Sequence, residues 1–163
     1  MTTTSSVLET AAADADAALA RLSDVLGGLS DGDLHLAHPS GGWTAAQLVS
    51  HINMSALVWL AATERVRRDP ELVFLFREEV GHDLLGYPPP TIALAQRQLA
   101  STRRTLATCL PATGDVLDRT VEIPDLGTRT VAEWTGPIVG HLTGHVDHAL
   151  DVLRSRGALP AEA

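Results

Sequence analysis

Lysine is absent from this chain: all twelve basic residues are arginine. That excludes a lysine Schiff base and a P-loop lysine from its chemistry. Cysteine is nearly absent as well. With Cys109 alone, no intramolecular disulfide can form, and no His or basic residue stands beside it in sequence to activate the thiol, so a small buried hydrophobe is its expected role. Basic charge is scarce against twenty acidic residues, and the net charge of -8 argues against a nucleic-acid partner, whose phosphates demand many Arg and Lys contacts. Uninterrupted apolar runs fall well short of the roughly 20 residues that span a bilayer, so no membrane role is expected. Met1 to Ser6 is polar and lacks the basic and apolar regions of a signal peptide, and a cytoplasmic location is expected. Aromatics make up only 4%, and Ala and Leu fill the apolar positions instead, which favours helix.

The 163 residues suit one domain over 1–163. From Ser5, apolar residues such as Leu8, Ala15, Leu19, Leu22 and Leu26 recur at spacings of three and four, and Gly27-Gly28 ends the stripe. Residues 29–43 carry the turn formers of a loop, with His35 and His38 expected at the surface. Thr44 with Gln47 three residues on has the spacing of a capping box, opening a helix to about Arg68 whose inward set includes Leu48, Ile52, Leu57 and Trp59. Residues 71–85 form a short mixed segment in which Phe74, Phe76 and Leu84 can cover the end of a bundle, with His82 and Asp83 ambiguous. After Gly86-Tyr87-Pro88-Pro89-Pro90 a third long helix runs from Thr91 to about Leu110, with Ile92, Leu94, Ala95, Leu99, Ala100 and Leu106 inward. Residues 111–129 are too rich in Pro, Gly and Asp for helix, while Arg119 to Ile123 alternates before a Pro-Asp-Leu-Gly turn, as in a small hairpin. Thr130 and Glu133 repeat the capping-box spacing and start the last helix, which tolerates Pro137 near its beginning. Helices at about 5–28, 44–68, 90–110 and 130–156 read as an all-α four-helix bundle of up-down-down-up type, with a short irregular or hairpin excursion before the last helix.

The last helix carries the strongest chemical signal. At about 100° per residue, His145 lies about 40° round from His141, and His148 within about 20° of it, so three imidazoles share one face. Just downstream, Ala149, Leu150, Val152 and Leu153 are apolar, so that face is expected to be buried or to line a cavity, where imidazoles need partners. Core carboxylates or backbone can supply them, and so can a transition metal. His51 sits inside the second helix seven residues after Thr44, while His141 follows Thr135 by six, each behind a Trp-Thr pair. Two bundle helices thereby present histidines at similar depth. His51, His141 and His145 give three nitrogen donors, the catalytic arrangement for zinc, with nickel or iron accepting the same ligands. His148, one turn past His145, is placed to steady a ligand or a bound water from outside that set.

Gly42-Trp43-Thr44 leading to Leu48 and His51, together with His141-(x)3-His145, resembles the DinB-like superfamily of metal-binding four-helix bundles. The nearest branch is the one similar to the N-terminal domain of mycothiol-dependent maleylpyruvate isomerases. The resemblance implies a divalent metal on His51, His141 and His145 that activates the thiol of a low-molecular-weight cofactor, of mycothiol or bacillithiol type, for transfer to an electrophilic substrate or for isomerisation. Arg77, Arg103 and Arg104 are candidates for an acidic group of such a thiol, although surface charge is the commoner role. A metal-dependent hydrolase using the same site and a non-catalytic metal-binding or dimerisation module stay open beside this reading. The Ala-rich first helix suits the seam of a homodimer.

Overall fold

The computed structural model describes residues 4–69, 87–123 and 127–160. The expected segment over 71–85, including Phe74, Phe76, Arg77, His82, Asp83 and Leu84, lies outside them, as do residues 124–126. Helix α1 spans Thr4–Leu26, a single turn α2 spans Asp31–Leu34, and α3 spans Ala45–Arg68. They are followed by α4 (Ile92–Cys109), a 3-10 turn (Pro111–Val116), strands β1 (Thr120–Ile123) and β2 (Gly127–Thr130), and α5 (Val131–Ser155).

Caps set where the long helices begin. The Thr44 hydroxyl accepts the Gln47 amide at 3.2 Å while the Gln47 side chain accepts the Thr44 amide at 2.9 Å. Thr130 and Glu133 close the same reciprocal box on α5. Each box satisfies two backbone donors that the first helical turn otherwise leaves open, and each fixes the frame of a histidine-bearing helix. The loop before α3 reaches its cap through Gly41 and Gly42 at φ of 90° and 100°, a region that favours glycine. α5 runs unbroken through Pro137, which is exposed.

α1 packs on α4 and α5, and α3 packs on the same two helices, so the four form a closed ring. Polar ties give their directions. Asp16 pairs with Arg103 and Ser23 with Gln96, which makes α1 and α4 antiparallel. Asn53 accepts from Thr102, and Arg67 reaches Ala112 and Asp115, so α3 and α4 run parallel. Arg119, just before the hairpin that feeds α5, binds the carbonyls of Val66 and Arg67, so α5 returns against α3. The result is the up-down-down-up bundle. Leu19, Leu22, Leu26, Leu48, Ile52, Leu99, Leu142, Leu150 and Leu153 fill its core. The excursion is the expected hairpin, antiparallel with Val121 opposite Arg129.

Several sequence expectations shift. The loop over 29–43 contains α2, because Ser30 and Asp33 form a capping box too short to show a hydrophobic period, and Leu34 is buried beneath it. Pro111 to Val116 is helical after all, as a 3-10 turn with Pro at its start, where a missing amide donor costs little. Leu57 and Leu94, expected inward, are 47% and 41% exposed: composition made their helices look apolar all round, but each faces neighbours on one side only. Cys109 is half-buried rather than buried, since α4 ends with it. α3 reaches a mean hydropathy of 1.2 over an 18-residue window, enough to cross a bilayer by length and composition, yet 56% of that window is buried inside the bundle.

Arg103, a candidate for binding an acidic cofactor group, is instead held by Asp16 through two bonds of 2.7 and 2.9 Å. The hydrogen-bonded guanidinium keeps the Asp16 carboxyl below the usual carboxylate range. Arg104 lines an open groove along α4 with Arg97, Leu94 and Tyr87, and no residue of the histidine cluster borders it.

Candidate metal centre

The facing sides of α3 and α5 bring the three histidines together. His51 is 3% exposed, and His141 and His145 are half-buried. Their rings stand edge to face, with centroids 5.1 Å apart for His51 and His141, 4.5 Å for His51 and His145, and 4.4 Å for His141 and His145. The Nε2 atoms of His51 and His141 approach to 3.0 Å. One nitrogen from each of the three rings lies within 4.8 Å of the others. Among the described residues no other group of three His, Cys, Asp or Glu side chains is placed to hold an ion.

The donor set fits a transition metal. Two nitrogens each about 2.1 Å from one ion stand about 3.0 Å apart at a right angle and about 3.4 Å apart at the tetrahedral angle. The observed 3.0 Å falls in that span, and a His145 nitrogen lies within 4.8 Å of the other two, close enough for its ring to complete the set by turning inward. Without a cation the same contact requires one ring to donate a proton to the other, since two imidazolium ions cannot share it. All three donors are neutral nitrogens, which suits zinc, nickel or iron rather than magnesium or calcium.

Two aromatic contacts border the cluster. Trp43 packs on His51 with ring centroids 4.7 Å apart and on His145 at 5.8 Å, covering one side of the triad. His148 is exposed and stacks on His145 at 6.3 Å with the planes 27° apart. It shares the helical face of His141 but lies about 10 Å further along the axis, past the level of His51, so it stands outside the three-nitrogen cluster. Asp147 is exposed and pairs with Arg21 of α1. His35 is exposed, as expected, and contacts the Pro90 carbonyl, whereas His38, expected at the surface, is half-buried, contacting Ser40 and standing 3.8 Å from Asp151.

Sequence reasoning missed Ser55. Its Oγ lies 3.3 Å from His51 Nε2 and 3.4 Å from His141 Nε2, against the two nitrogens that would bind the ion. The only signal was its place one helical turn after His51.

A sequence profile of the DinB superfamily matches residues 14–149, a span that includes all three histidines, the whole of α3 and α4, and the larger part of α1 and α5. The chain belongs to the DinB superfamily. Neither a curated protein nor a solved structure matches it. For this DinB-superfamily chain, family and geometry therefore agree on a mostly helical bundle whose α3 and α5 carry a possible metal site of three histidines.

Proposed function

We propose that the protein is a metal-dependent enzyme in which His51, His141 and His145 hold a divalent ion, zinc first and nickel or iron as alternatives. Its reaction is S-transfer or isomerisation with a low-molecular-weight thiol of mycothiol or bacillithiol type and an electrophilic small molecule. The observation that carries this reading is the 3.0 Å approach of two Nε2 atoms from different helices with a third imidazole beside them.

When bound, such an ion supplies Lewis acidity, which lowers the pKa of a thiol or water placed on it. The protein's own residues do the rest. Three neutral imidazoles leave the double charge of the ion uncompensated, so they favour an anionic incoming group, and a thiolate is one. Trp43 shields one side of the triad and restricts how the rings can turn. A thiol nucleophile would come from outside the chain, whose one cysteine lies far from the cluster. Cys109 closes α4 beside the end of α3 that Arg67 ties to Ala112 and Asp115, and Arg67 is sixteen residues, about 24 Å, along α3 from His51.

Metal-loaded protein is expected to conjugate mycothiol or bacillithiol to an electrophilic dye such as monochlorobimane. Turnover should require both thiol and metal and should fall to background in His141→Ala. Hydrolysis of ester substrates without any thiol would favour the hydrolase, and a metal-loaded protein inert toward both thiol and water chemistry would contradict an enzymatic role.

A further inference from the structure

We infer that Ser55 is a positioning residue of this centre, whose hydroxyl donates a hydrogen bond to the anionic group that enters beside the three histidines. The inference rests on the three-histidine metal reading and extends it to the incoming ligand. Ser55 follows His51 by four residues on α3, so both side chains occupy one helical face. Hydroxyls inside helices usually turn back to a carbonyl of the preceding turn, as those of Thr63, Thr102, Thr108 and Thr135 do here. That of Ser55 is turned to the imidazoles instead, 3.3 Å from one Nε2 and 3.4 Å from the other.

The three atoms make a nearly even triangle, since the two nitrogens are 3.0 Å apart. An ion bound by both nitrogens is therefore close to the hydroxyl, and a group that enters on the Ser55 side of that ion is within the hydroxyl's reach. A neutral serine oxygen is not among the usual ligands of zinc-type ions, which take thiolate, imidazole or carboxylate. A hydroxyl can donate one proton, however, and an anion next to it is its strongest acceptor. The arrangement thus supplies what the three imidazoles lack once they bind an ion: a donor directed at the incoming negative charge. It serves thiolates and small inorganic anions alike.

The test uses Co²⁺-loaded protein and azide, with the visible absorption of Co²⁺ reporting both the metal and the anion. Wild type and Ser55→Ala are expected to bind one Co²⁺ per chain with affinities within about threefold of each other. Azide should bind Ser55→Ala about 10- to 100-fold more weakly, the size of a lost hydrogen bond to a charged group. Ser55→Thr, which keeps the hydroxyl, should hold azide within about threefold of wild type. Equal azide affinity in wild type and Ser55→Ala would overturn the inference, and so would equal weakening in both variants. Loss of Co²⁺ from Ser55→Ala as severe as in His51→Ala would make Ser55 a ligand and overturn the positioning role. A wild type that takes up no Co²⁺ would bring down the metal reading itself and this inference with it.

Discussion

Adding zinc at a thousand times its dissociation constant is expected to stabilise the wild type by about 4 kcal/mol, because the ion binds the folded site and not the unfolded chain. For a domain of this size that raises Tm by about 8–16 °C. His141→Ala should lose most of the shift. Residues that only orient a metal ligand cost about 10- to 100-fold in affinity when removed, so removing a ligand should cost more than about 100-fold. At the same zinc concentration the variant would then gain at most about 1.4 kcal/mol, a rise of about 3–6 °C. Differential scanning calorimetry with and without metal measures both numbers. A variant with an undiminished shift would place the ion elsewhere.

Leu22→Ala should do the reverse. Leu22 is 0% exposed in α1, a helix that contributes no histidine to the cluster. Its truncation removes buried methyl groups and leaves a cavity between α1 and its neighbours, which costs about 3 kcal/mol and lowers Tm by about 6–12 °C. The zinc-induced rise should persist, since the α3–α5 face that carries the donors is untouched. Denaturant unfolding followed by a metal titration checks the two halves separately. A variant that loses both stability and metal binding would mean that the site depends on the whole core rather than on the facing pair of helices.

The contrast between these substitutions reflects what was legible in the sequence. Period and caps carried the bundle: Thr44 and Thr130 cap their helices where their spacing predicts, and the stripe of α1 buries as its repeat requires. The histidines were legible for a local reason, since His141 and His145 are four apart and must share a face. Pairing them with His51 across ninety residues rested on the Trp-Thr echo and on the family resemblance. What the sequence hid is mostly relational. Arg103 looked like free surface charge because Asp16, its partner, stands 87 positions away. Leu57 and Leu94 could not be told from core leucines by type alone. Ser55 looked like an ordinary helical hydroxyl until the fold brought His141 to within 3.4 Å of it. Trp43 was recognised as part of a motif, but its packing against two of the three imidazoles became visible only in three dimensions.

The most direct test of the account is the metal content of protein purified without a histidine tag, measured by elemental analysis beside His51→Ala and His141→Ala. The account predicts about one zinc, nickel or iron per chain in the wild type and loss of that metal in both variants. Metal-free wild type that also fails to take up added Zn²⁺ or Ni²⁺ would contradict it.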